Sequence, residues 1–81
     1  MLYLIILLGS EGKVNYSKMI IVIRANLKLT QQELAKIINV NFATVNRWEN
    51  KKNIPSKRYA YLLEKICKDN NINVDGAIEN E

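Results

Sequence analysis

Residues 29–55, LTQQELAKIINVNFATVNRWENKKNIP, decide how this chain folds. Thr30 to Glu33 has the S/T-x-x-E spacing of a capping box, in which the threonine hydroxyl caps the Glu33 amide and the Glu33 carboxylate reaches back. A helix therefore starts at Gln31. Leu34, Ala35 and Ile38 share one face with Lys36 outside it, and the helix runs only about two turns before Asn39, a residue that tolerates the left-handed conformation of a sharp turn. Val40 plugs the core from that turn. Asn41 is a suitable cap for the next helix, Phe42 to Glu49, whose apolar positions Val45 and Trp48 leave Phe42, Ala43, Thr44, Asn46 and Arg47 on flanking or outward faces.

Outward from this stretch the chain reads as more short helices. Tyr16-Ser17 resembles a flanking apolar residue and an N-cap, ahead of Ile20, Ile23, Arg24 and Leu27 at helical spacing, which predicts a first helix near 18 to 27. The β-branched run Ile20-Ile21-Val22-Ile23 would also suit a strand, so that reading leans on the helices after it. Asn50 to Pro55 carries the charges and breakers of a loop, and Ser56 caps a fourth helix, about 57 to 68, with Tyr59, Leu62, Leu63 and Ile66 at i, i+3, i+4 and i+7. The prediction is an all-α domain of four to five short helices over 17–71, preceded by an apolar segment and linker over 1–16 and followed by a weakly patterned acidic tail over 72–81.

Composition narrows the chemistry. The chain has 81 residues, 48% hydrophobic and 25% charged, the balance of one small globular domain. It holds no His and one Cys, Cys67, so no Ser/His/Asp or Cys/His nucleophile can be assembled and no His/Cys zinc set exists. No catalytic residue, metal or cofactor is expected. A single thiol allows no intrachain disulfide, which suits a reducing, cytoplasmic setting, and Cys67 reads as a small apolar residue. Met1 to Leu8 (MLYLIILL) is wholly apolar but far short of the roughly twenty residues that span a bilayer, and it lacks the basic n-region and cleavage site of a signal peptide. Asn15-Tyr16-Ser17 matches a glycosylation acceptor, yet without a secretory route Ser17 serves better as a cap. The formal net charge is +4, but residues 13–68 hold all 12 Lys and Arg against Glu33, Glu49 and Glu64 alone, so that stretch carries +9. An acidic partner such as nucleic acid is implied.

Two short helices joined by a tight turn, with a small residue, Ala35, where they cross, define a helix-turn-helix over Gln31 to Glu49. At this point the sequence resembles the phage repressor and Cro family, also called the XRE family. Leu-Thr-Gln-x-Glu-Leu-Ala, the apolar spacing after it and Trp-Glu-Asn all fall in register, and the likeness covers about Ser17 to Asn71. It implies a lambda-repressor-like domain that binds double-stranded DNA, with the second helix of the unit in the major groove. The base readers it implies are Phe42, Ala43, Thr44, Asn46 and Arg47: Arg47 suits guanine O6 and N7, Asn46 suits adenine, and Phe42, Ala43 or the Thr44 methyl suits a thymine methyl. Gln31, with its helix N-terminus, and Asn50, Lys51 and Lys52 would hold phosphates. Arg24 and Glu49 fall where the family has a partly buried ion pair; the alternative is two independent surface charges. Two departures stand out, since the family usually has Gly where this chain has Asn39 and often Gly where it has Lys51. Lys51 adds charge beside the phosphate contacts at a backbone that prefers positive φ.

A single such domain reads one half-site, so a homodimer is expected. Leu2 to Leu8 is the candidate surface for the second copy or for a protein partner. Trp48 and Tyr59 read as core, and Lys57, Arg58, Lys65 and Lys68 as a solvated face that lends long-range attraction, the alternative being extra phosphate contacts. The implied function is a small transcriptional regulator, most simply a repressor, and not an enzyme. Alternatives in the same class are an antitoxin or a restriction-modification controller; alternatives in other classes are a protein-interaction module or the DNA-targeting fragment of a larger enzyme.

Overall fold

The computed structural model describes residues 13–74 and 78–79. Four helices lie among the described residues: α1 (Tyr16–Leu27), α2 (Gln31–Ile37), α3 (Phe42–Glu49) and α4 (Lys57–Asp69). The all-α architecture expected from the sequence is present. A two-residue antiparallel ladder, β1 (Lys13–Val14) with β2 (Ile78–Glu79), joins the chain just before α1 to the chain after α4, pairing Lys13 with Glu79 and Val14 with Ile78.

Side-chain caps explain two of the four starts. Thr30 and Glu33 form both halves of the capping box, with the Glu33 amide donating to the Thr30 hydroxyl at 3.0 Å and the Thr30 amide to Glu33 Oε1 at 2.8 Å. Asn41 and Ser56 occupy the N-cap positions of α3 and α4 in extended conformation, without a side-chain capping bond. The start of α1 corrects the sequence reading. Its cap is Asn15, whose Oδ1 accepts from the Lys18 amide at 3.0 Å, and Ser17 lies inside the helix and is buried. Ser17 is occupied elsewhere, because its hydroxyl donates to the Glu49 carbonyl at 2.6 Å.

All four helices stop in the same way. Lys28, Asn39, Lys51 and Asn71 take φ of 57°, 60°, 62° and 54°. After each, the next amide bonds the carbonyl five residues back: Leu29 to Arg24, Val40 to Ala35, Lys52 to Arg47 and Ile72 to Cys67, every one at 2.9 Å. These are Schellman closures, which satisfy carbonyls that a helix end leaves orphaned. None of the four residues is Gly. Asn39 thus makes the turn that its side chain suggests, and Lys51 takes the backbone that glycine would favour.

The core sits where α1 crosses the α2–α3 pair and α4. Met19, Ile20, Ile23, Leu34, Val45 and Leu63 are fully buried, each contributing roughly 1.5–3 kcal/mol relative to exposure. The β-branched run of α1 is therefore helical because one side of it fills this core. Trp48 closes the core beside Tyr59, their rings 5.7 Å apart and tilted by 49°.

In α4 the buried stripe is Ala60, Leu63, Glu64 and Cys67, not the expected Tyr59, Leu62, Leu63 and Ile66, of which Tyr59, Leu62 and Ile66 are half-buried at its margin. The helix is turned by about one residue, and that turn takes a carboxylate inside. Glu64 is 4% exposed and its Oε1 has no hydrogen-bond partner among the described residues. Burial, the main cause, holds its carboxyl above the usual range. Burial also pushes the Cys67 thiol up to about 11, with the Glu64 charge as a second contribution.

The core also extends past the bounds read from sequence. Ile72 and Val74 are buried, because the left-handed Asn71 folds the chain back over the end of α4, and Val14 packs on the core before α1 begins. The segment after Asn71 is therefore no detached tail through Val74. The apolar run Leu2 to Leu8 lies outside the described residues.

Candidate nucleic-acid interface

The exposed face of α3 follows from its period of about 100° per residue. With Val45 and Trp48 pointing into the core, Ala43, Asn46, Arg47 and Asn50 project to the opposite side, while Phe42 and Thr44 fall on its two flanks. Exposure agrees: Phe42, Ala43, Arg47 and Asn50 are exposed, and Thr44 and Asn46 are half-buried. Lys51 and Lys52 follow directly, both exposed, on the loop closed by the Lys52-to-Arg47 bond.

Five polar side chains from three helices are linked behind this face. Arg24 of α1 donates through Nη1 to Glu49 Oε2 at 2.8 Å and Oε1 at 3.0 Å, and through Nε to the Leu29 carbonyl at 3.1 Å. The Arg24 and Glu49 side chains are only 27% and 10% exposed. Gln31, at the first turn of α2, donates from Nε2 to Glu49 Oε1 at 2.9 Å. Asn46 donates from Nδ2 to Gln31 Oε1 at 3.2 Å, and Asn50 donates to Asn46 Oδ1 at 3.1 Å. Arg24, Gln31, Asn46, Glu49 and Asn50 are thus one connected group, while Phe42, Ala43, Thr44, Arg47, Lys51 and Lys52 lie outside that chain of contacts.

Ser17 adds a second tie between the same helices. Its bond to the Glu49 carbonyl satisfies an acceptor in the last turn of α3, so the C-terminal end of α3 is fixed to α1 by backbone and side chain together. Ser17 therefore ties two helices and is not the cap of α1 that the sequence suggests. The available signal was weak: a small hydroxyl one turn before Ile20 marks proximity to the core but not its partner.

Glu49 is the acidic residue of α3, and its carboxylate faces Arg24 and Gln31. The outward side therefore presents amides and cations. That combination suits an anionic, hydrogen-bonding surface such as duplex DNA, where amides and guanidinium groups can meet phosphates and base edges. Among the described residues no cluster of His, Cys, Asp and Glu could hold a metal ion, and no helix is long and apolar enough to cross a membrane.

A family model described as helix-turn-helix matches residues 20–68, which includes all of α2 and α3 and most of α1 and α4. Comparison with curated proteins and with solved structures returned no match. The match spans more than half of the chain, and the chain belongs to this XRE-type helix-turn-helix family of DNA-binding regulators.

Proposed function

We propose that, as a helix-turn-helix protein, this chain binds double-stranded DNA sequence-specifically and represses transcription by occupying an operator. The observation that carries this reading is the outward side of α3, where Asn46, Arg47 and Asn50 project together and Lys51 and Lys52 follow at its end. α3 would enter the major groove. Arg47 would pair with guanine and Asn46 with adenine, Ala43 and the flanking Phe42 and Thr44 would meet thymine methyl groups, and Gln31, Asn50, Lys51 and Lys52 would contact phosphates. The +9 charge of residues 13–68 supplies the long-range attraction. Two copies acting as a dimer would read two half-sites about one helical turn apart, in the cytoplasm.

Selection of bound sequences from random duplexes at low salt tests binding, specificity and half-site spacing together. The expected outcome is an enriched, two-fold related site and affinity that falls steeply with salt. Arg47→Ala is expected to weaken that site by roughly ten-fold or more and to relax one base position. A selection that enriches nothing sinks the reading.

A further inference from the structure

The polar chain running from Arg24 to Asn50 has a direction. A carboxylate can only accept hydrogen bonds, so the Gln31 group that faces Glu49 at 2.9 Å must be its Nε2. With Nε2 turned toward Glu49, Gln31 offers Oε1 to α3, and Asn46 meets it with Nδ2 at 3.2 Å. Asn46 Oδ1 is thereby committed to the other side, where Asn50 Nδ2 reaches it at 3.1 Å and reaches the Asn46 carbonyl at 2.8 Å. Each amide is oriented by the one before it, and the series starts at a charge that has no alternative orientation. Inverting Asn46 alone would set oxygen against Gln31 oxygen and N–H against Asn50 N–H, losing two hydrogen bonds at once.

We infer that Glu49 and Gln31 are positioning residues that fix the amide polarity of Asn46 and so set the base it reads. The inference rests on the DNA-reading function proposed above. Asn46 has two N–H groups and two oxygen lone pairs; the relay uses one of each and leaves one donor and one acceptor in a fixed order. Adenine presents an acceptor and a donor side by side in the major groove, whereas guanine presents two acceptors. The fixed order can meet both adenine groups at once, whereas the inverted order would set oxygen against N7 and N–H against the N6 amino group; guanine opposes a lone pair in either order. Specificity at this position would then originate in Glu49, a side chain 10% exposed that itself need touch no base.

The test is sequence selection from random duplexes with the full chain and three variants. Asn46→Ala marks the position that Asn46 reads, as the one whose preference disappears. Gln31→Met keeps the side-chain length and leaves the Arg24–Glu49 pair intact, and it is expected to lose the adenine preference at that same position, by roughly ten-fold, while keeping the preferences elsewhere. Glu49→Gln is expected to show the same loss; if circular dichroism shows it unfolded, Gln31→Met carries the test. A Gln31→Met protein that binds every sequence more weakly but keeps the full preference at that position overturns the relay and leaves Gln31 a phosphate contact. An Asn46→Ala profile identical to the wild type overturns it as well. A wild-type protein that selects no sequence fails the DNA-reading function itself, and the relay with it.

Discussion

Glu49 at the end of α3 and Glu64 in the middle of α4 are both withdrawn from water, the first with its side chain 10% exposed and the second 4% exposed as a residue. Glu49 is bonded by Arg24 and Gln31, and its carbonyl by Ser17. Glu64 has an oxygen with no hydrogen-bond partner among the described residues. A buried charge is costly unless it is paired and hydrogen-bonded, so the two sites act oppositely on the same small fold. The partnered carboxylate joins α1, α2 and α3 beneath the proposed groove-facing surface. The other sits in α4 beside Cys67 and, among the described residues, leaves one buried oxygen without a hydrogen bond.

Removing the partner of Glu49 should have the largest effect. Arg24→Ala leaves a mostly buried carboxylate with only the Gln31 amide, and it is expected to cost roughly 2–3 kcal/mol, between the values for exposed and fully buried pairs. In a domain this small, that is a fall in Tm of roughly 10 °C or more in a thermal melt. An unchanged Tm would erase the distinction between the two glutamates.

At Glu64 the opposite sign is expected. Glu64→Met fills the site without a charge and should raise stability at pH 7 by roughly 1–3 kcal/mol in urea unfolding. The pH dependence follows from the raised carboxyl. Stability from this group is intact below its ordinary value of 4.5 and lost as pH rises through the higher folded value, so the gain in the variant should shrink as the solution is acidified toward pH 4. A gain that persists unchanged at low pH would mean better packing alone.

The smallest effect concerns the neighbouring thiol. With its pKa pushed from 9.0 to about 11, native Cys67 should alkylate at neutral pH at least about 100-fold more slowly than in the unfolded chain. Because the Glu64 charge contributes to that rise, Glu64→Met should recover part of the rate. Equal rates in both proteins would remove the electrostatic link between them.

The contrast also explains what was legible in the sequence. The helix-turn-helix is written in local signals: the Thr30–Glu33 box, Asn39 at a left-handed stop, and Val45 and Trp48 one turn apart. Each needs only its near neighbours. The α4 face is not legible in this way, because its buried stripe contains a small Ala60, a Cys67 and an acidic Glu64, which an apolar count passes over in favour of Tyr59 and Ile66. The role of Ser17 is not legible either, because its partner is 32 residues away and no local pattern separates a cap from a long-range donor. The residues proposed for DNA contact follow from which side of α3 the core leaves free, but the amide chain through Gln31 and Asn46 depends on how α2 and α3 cross, which spacing does not encode.

The four glycine-free stops have a consequence for how this domain can change. A side chain in left-handed backbone costs about 1–2 kcal/mol relative to glycine, and Lys28 and Lys51 lack the local bonding with which Asn softens that cost. At Lys28 the strain is reserve stability, open to release without touching α3. At Lys51 release would delete a cation at the end of that helix. The same backbone conformation is thus spare capacity at one helix end and a trade between durability and grip at the other, and selection for a tougher protein and for a tighter one would diverge at this single residue.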